Sequence, residues 1–234
     1  MITDDCPIWV MWWQGFDDCP SIVEKCIASV KRNAGKHPVI MLSKDNFREY
    51  IDIPKEIEEK ILNKVKCIAY LSDIIRFGLL STRGGIWLDA TIYVSQPITA
   101  WSMSLYSIRH ATKDPRYVLD GYRWSSFMVA AAPNEVMPTF VYKALLAYFK
   151  ENNALIDYFL TDYLIATIYL NNEYVRKQID SLPKDNLDCL ELLMNLSKTY
   201  DKDILDSMLK ARRFHKLDWR HNIIDKNSMF AHLK

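Results

Sequence analysis

The chain has 234 residues and a formal net charge of +1, with half of its residues apolar and a quarter charged. Such a composition supports a sizeable buried core and excludes a disordered chain, while the near-neutral charge, without a basic stripe, excludes an electrostatic nucleic-acid binder. No apolar run approaches the roughly 18–20 residues that cross a bilayer, Met1–Cys6 lacks the pattern of a secretion signal, and five scattered cysteines without a C-x-x-C pair read as reduced thiols, so a cytoplasmic location is expected.

In chain order, Ile8 to Trp13 (IWVMWW) is an apolar run that opens after Pro7 and stops at Gln14-Gly15, as a buried strand would. Pro20-Ser21 opens a helix through Val30, with Ile22, Val23, Cys26, Ile27 and Val30 on one face. Pro38 to Leu42 is a second buried strand, so the first forty or so residues form a βαβ unit, which predicts a parallel sheet with helices on its faces. Asn46 to Lys64 predicts two short surface helices divided at Pro54. Further strands are expected at Tyr106 to His110, Phe127 to Ala132 and Phe214 to Leu217, with turns at Asp114-Pro115 and Pro133-Asn134. Helices are expected at Pro138 to Glu151, Ala154 to Leu170, Leu187 to Leu196 and Asp203 to Arg212. The layout is an α/β first half followed by a helix-rich second half.

The segment Tyr70 to Val94 holds two anomalies. Leu71, Ile74, Ile75, Phe77, Leu79 and Leu80 make a helix apolar nearly all round, hence buried, yet Asp73 and Arg76 lie within it on one face. Ser72 is expected to cap its start and Gly84 to end it, with Gly85 turning the chain into a strand over Ile86 to Val94. That strand would be wholly apolar but for Asp89, and alternation puts Asp89 and Thr91 on one side. A buried carboxylate must be satisfied by a partner, a ligand or a metal. An internal Asp73–Arg76 ion pair with nothing bound is one solution; a binding site at Asp89 and Thr91 is the other.

The ordered residues Ser72-Asp73, Arg76, Leu80, Gly84-Gly85-Ile86-Trp87 and Asp89-Ala90-Thr91 resemble the donor-site signature of glycosyltransferase family 32. They also resemble the capsular polysaccharide synthesis proteins and, more distantly, the glucosylating domains of clostridial toxins. The likeness covers the first ~100 residues and thins beyond them to Tyr158-Phe159-Leu160 with Asp162 and to His215-Lys216-Leu217. It implies a single GT-A domain over residues 1–234, with a Rossmann-like nucleotide-sugar-binding half at 1–110 and a helix-rich acceptor half at 111–234. The implied activity is retaining transfer of a hexose from a UDP- or GDP-linked donor to a saccharide or lipid-linked saccharide, in synthesis of a capsule or other surface polysaccharide. A protein that binds a nucleotide sugar without transferring it is the alternative.

Carried over residue by residue, the resemblance makes Asp73, Arg76 and Asp89 the catalytic set. Trp12 would stack on the base, the Gln14-Gly15 backbone would approach the nucleotide, and Ser72, Gly84, Gly85 and Thr91 would complete the donor site. The family signature is Asp-x-Asp with a metal on the second carboxylate, and here Thr91 replaces it; a hydroxyl is the weaker ligand. The resemblance still implies Mn²⁺ or Mg²⁺ on Asp89 and Thr91, with His215 completing the set. Asp157 and Asp162, in an apolar helical run, are the acceptor-side candidates, as base or sugar clamp. Arg212-Arg213 could lean on an anionic lipid surface at the inner face of a membrane, where a lipid-linked acceptor would be met.

Overall fold

The computed structural model describes residues 1–109, 123–221 and 223–234; His110 and the Asp114-Pro115 turn of the sequence reading lie outside them. Strand β1 (Ile8–Met11) pairs in parallel with β2 (Val39–Leu42) on one side and β3 (Gly85–Asp89) on the other. Helix α1 (Ser21–Asn33) links the first two strands, so the predicted βαβ unit is present. The sheet continues antiparallel through β6 (Met128–Ala131) and β5 (Leu105–Ser107), giving five strands in the order β2-β1-β3-β6-β5.

Both faces of the central strands are covered, which is why they read as apolar without alternation. Ile8, Val10, Ile86 and Leu88 pack with Val23 and Ile27 of α1. Trp9, Met11 and Trp87 point the other way, into a cluster built on Leu71, Ile74, Ile75 and Phe77 of α3 (Ile68–Thr82). Asp89 follows Trp87 by two residues and so faces α3 as well, the side on which Arg76 is carried.

Helix α3 starts four residues before the expected cap at Ser72, behind Cys67, and therefore carries Ser72 and Asp73 half-buried in its second turn instead of at its mouth. Its end is as expected: Gly84, in the left-handed region at φ 67°, donates its N–H to the Leu79 carbonyl. The helix spans ten buried residues, consistent with its all-round apolarity.

The predicted strand Ile86 to Val94 is broken. The chain turns at Ala90-Thr91, and β4 (Ile92–Val94) leaves the main sheet to pair antiparallel with β7 (Phe214–Lys216). Side-chain hydrogen bonds hold this small sheet against α1: Ser29 Oγ accepts from Val94 N and Asn33 Nδ2 donates to Val94 O, both at 2.9 Å. From the other side, Asn186 Oδ1 accepts from the backbone N–H groups of Arg213 and Phe214. These ties bring residues about 125 positions apart in the chain to one place beside Asp89.

The region expected to hold two surface helices contains a 3-10 turn (Phe47–Glu49) and then α2 (Lys55–Lys60), which runs into a π turn (Ile61–Val65). The second half is helical: α4 (Val136–Glu151), α5 (Leu160–Asn171), α6 (Glu173–Asp180), α7 (Glu191–Asn195) and α8 (Lys202–Ala211). Residues 154–159, expected within a helix, are an irregular lead-in to α5. Leu187 to Leu196 yields only the short α7, and α6 is an element the periodicity did not separate. No helix among the described residues is long and apolar enough to cross a membrane.

Candidate active site

The carboxyl ends of parallel strands β1 and β3 meet the middle of α3 at a cleft of about 500 Å³. This is where open α/β sheets bind ligands. Arg76 is its organising group. Only 5% exposed, it bridges two carboxylates: Nη1 lies 3.2 Å from Asp73 Oδ1 and Nη2 lies 2.9 Å from Asp89 Oδ1. Nη1 also donates to the Ser126 carbonyl at 2.6 Å, and the guanidinium lies 5.1 Å from the centre of the Trp87 ring. A buried charge is tolerated only with such pairing.

Each carboxylate has further donors. Asp73 accepts from Thr161 Oγ1 at 2.5 Å. Burial drives the Asp73 carboxyl above its ordinary range, against the opposing pull of Arg76 and Thr161 and with some help from Asp89. Asp89 Oδ1 accepts from Trp87 Nε1 at 3.0 Å, and Oδ2 accepts from Lys216 Nζ at 3.1 Å. Burial alone would raise the Asp89 carboxyl too. Here Lys216 and Arg76 outweigh it, aided by the Trp87 and Lys216 hydrogen bonds, and the group is held below its ordinary range.

On the opposite wall, Asp162 accepts from Trp124 Nε1 at 3.1 Å. Burial pushes its carboxyl up to about 6, against that hydrogen bond. At the mouth, Trp12 and Trp219 meet edge to face with ring centroids 5.8 Å apart, and the Arg220 guanidinium lies 4.9 Å from the Trp219 ring centre. The cleft thus joins carboxylates, cations and flat aromatic faces, the set that a charged, hydroxyl-rich, aromatic-bearing ligand requires.

The family model of the capsular polysaccharide synthesis proteins matches residues 1–233. The chain belongs to the capsular polysaccharide synthesis protein family. Among solved structures, PaToxG glycosyltransferase aligns with a TM-score of 0.50 at 13% identity, over 76% of this chain and 79% of that one. A transferase double mutant with two cysteines changed to serine aligns with a TM-score of 0.44 at 9% identity, over 76% of this chain and 92% of its own. No curated protein is matched. The likeness to PaToxG glycosyltransferase is one of fold, and it agrees with the glycosyltransferase-like α/β architecture expected from the sequence.

In this member of the family, Trp12, Ser72, Asp73, Arg76, Asp89, Thr91 and Asp162 all line the cleft. Six other expected site residues do not. Gly84 and Gly85 stand at the opposite end of β3 from Asp89, roughly 13 Å of strand away at the usual rise per residue. Their role there is steric: a Cβ on Gly85, at φ 108°, would come 2.5 Å from the Pro7 carbonyl and 2.8 Å from Trp9 Nε1. Gln14 is exposed, and it and Gly15 form the turn beyond Trp12, outside the cleft lining. Asp157 is spent on local structure, its Oδ1 accepting from Phe159 N at 2.8 Å ahead of α5.

His215 is not brought to Asp89. It is fully buried, its Nε2 lies 3.1 Å from Ser95 Oγ, and its ring packs on Tyr93. Burial, with Arg212 adding to it, lowers its imidazole to about 3, so it stays neutral. Strand alternation in β7 is the reason: His215 turns inward and its neighbour Lys216 faces the cleft. Of the basic pair expected to face lipid, Arg212 is turned inward, 11% exposed and paired with Glu191 and Asp188.

The site also contains groups to which the sequence reading gave no role: Lys216, Thr161, Tyr158, Trp219 and Arg220. For Lys216 a signal was present, since a short strand that buries Phe214 and His215 still has a cation two residues beyond Phe214 on the same face. The others come from loops and a helix with no local mark of the site. Lys216 bears on the expected divalent ion. Its Nζ donates to Thr91 Oγ1 at 2.8 Å as well as to Asp89 Oδ2. Both oxygens proposed as metal ligands are thus held by an ammonium, and the other Asp89 oxygen is held by Arg76 and Trp87. The donor set present does not fit a divalent ion.

Proposed function

We propose that this chain is a nucleotide-sugar-dependent, retaining glycosyltransferase that moves a hexose from a UDP- or GDP-linked donor to a saccharide or lipid-linked saccharide acceptor during surface polysaccharide synthesis. The observation that carries this reading is the Asp73–Arg76–Asp89 relay at the carboxyl ends of β1 and β3, in a cleft with Trp12 at its mouth. Membership of a capsule-synthesis family and a glycosyltransferase fold support it; retention and the donor class follow from the signature resemblance.

In this reading Trp12 offers the base a stacking face, and Asp73 accepts hydrogen bonds from donor-sugar hydroxyls. Arg76 holds Asp73 and Asp89 in fixed orientations, so the polar wall needs little reorganisation when charge develops. As the C1–O bond to the diphosphate breaks, its electron pair passes to the phosphate oxygen, where cationic side chains stabilise it. The acceptor hydroxyl oxygen then bonds to C1. Asp162, ionised above about pH 6, is suited to orient that hydroxyl and take up its proton.

The test is a donor-only assay with a panel of UDP- and GDP-hexoses, reading released sugar by NMR. Slow hydrolysis releasing first the α-anomer from an α-linked donor supports retaining transfer. Release of the β-anomer overturns retention. Binding without release, even when saccharide acceptors are supplied, assigns the chain to nucleotide-sugar binding alone.

A further inference from the structure

We infer that Lys216 receives the donor diphosphate directly, as a side-chain cation in the position the sequence offered to a divalent ion, so that nucleotide binding here needs no metal. The inference rests on the nucleotide-sugar reading above. An ammonium has three N–H donors. On Lys216 two of them are engaged, by Asp89 Oδ2 and Thr91 Oγ1, and the side chain lines the cleft with 22% of its surface exposed. The third donor is available to a ligand, and the first two fix the direction of the amine. Phe127, whose ring centre lies 5.3 Å from Nζ, limits its movement on another side.

A divalent ion at this point would meet obstacles of both charge and space. To be ligated by Asp89 and Thr91 at the usual distance of roughly 2.0–2.6 Å, it would have to displace Lys216 Nζ from both oxygens. Nor does the unliganded cluster attract one: the carboxylates of Asp73 and Asp89 are matched by Arg76 and Lys216, each already in contact. Thr91 supports the same view. An aspartate at its place would add a charge and call for a further cation, whereas its hydroxyl accepts a hydrogen bond from Lys216 and leaves the charges balanced. Arg220, at the mouth, is a second cation within reach of a polyphosphate lying along the cleft.

The experiment is calorimetric titration of UDP and GDP, with uridine and guanosine as controls, into the full chain after exhaustive chelation and again with Mn²⁺ added. At least one diphosphate should bind the chelated protein about tenfold or more tighter than its nucleoside, as expected for a charge-assisted phosphate contact, and Mn²⁺ should change that affinity little. Lys216→Met should abolish the preference in the absence of metal. It should also make binding Mn²⁺-dependent, because it releases Asp89 and Thr91 as ligands. Lys216→Arg should keep most of the preference without metal, and melting curves show whether each variant is folded. Should Lys216→Met fail to fold, the response of the parent chain to chelation still decides. Diphosphate binding by the parent only when Mn²⁺ is present overturns the inference and leaves the donor reading intact. Absence of nucleotide binding in both conditions removes the donor reading and this inference with it.

Discussion

The guanidinium of Arg76 and the carboxylate of Asp89 meet at 2.9 Å across the junction between α3 and β3. Asp73 and Arg76 are the two charges in a helix otherwise apolar nearly all round, and Asp89 is the one charge in its strand. Arg76 and Asp89 each make burial of the other tolerable, and Asp73 one helical turn away completes the pairing. The ion pair and the candidate site are therefore one structure: what satisfies the buried charges also holds two carboxylates at the edge of the cleft.

Replacing Asp89 with Asn should lower donor turnover by about a hundredfold or more, the range for losing an oriented electrostatic group at a reacting centre. It should also destabilise the fold by about 1.5–3 kcal/mol, because Arg76 and Lys216 each lose a charged partner. The Asp89 carboxyl is held below its ordinary range, so its stabilising contribution is complete above that range and is lost as pH falls through the lowered folded value. Urea unfolding of parent and variant should accordingly converge in acid. Equal stability at pH 7 would show that the Arg76–Asp89 pair contributes nothing net.

Asp162 should behave in the opposite sense. Its carboxyl is raised from an ordinary value of 3.8 to about 6, so the folded chain binds this proton more tightly than the unfolded chain does. The ionised form then costs stability: nothing below about pH 4, increasing between pH 4 and 6, and constant above that. Asp162→Asn should be more stable than the parent by about 3 kcal/mol at pH 7, a difference that disappears in acid. The transfer rate of the parent should rise through about pH 6, and the variant should lack that limb. A variant less stable than the parent at pH 7 would contradict the assignment.

Trp12→Ala should weaken nucleotide binding by roughly 1–3 kcal/mol, the range for stacking of a base on an aromatic ring. Trp219 braces the Trp12 ring edge to face, so Trp219→Ala should have a smaller effect in the same direction. The rank order of donor sugars should not change in either variant. Unaltered affinity for both UDP and GDP in Trp12→Ala would make the ring a packing residue only.

Gly85→Ala separates fold from site. The new Cβ would sit against the Pro7 carbonyl and Trp9 Nε1 in a left-handed conformation, and the cost should exceed 1 kcal/mol. Because Gly85 lies at the far end of β3, the donor KM measured on the folded fraction should match that of the parent. A raised KM with unchanged stability would return Gly85 to the donor site.

The sequence alone determined the βαβ opening, the burial of α3 and the placement of Asp73 and Arg76 on one face of it. These features rest on short-range periodicity, on which local sequence is most informative. It also marked Asp89, since a lone carboxylate in an apolar strand demands a partner wherever the strand lies. Tertiary structure alone decided which partners those are. Lys216 reaches Asp89 because the chain breaks its strand at Ala90-Thr91 and sends β4 to pair with β7, a pairing between distant segments that no window of sequence encodes. The choice between His215 and Lys216 likewise turned on register, since adjacent residues in a strand face opposite sides. The glycines of the signature lie outside the cleft for a related reason: Gly84-Gly85 and Asp89 are neighbours in sequence but stand at opposite ends of one extended strand, and only Asp89 reaches the cleft.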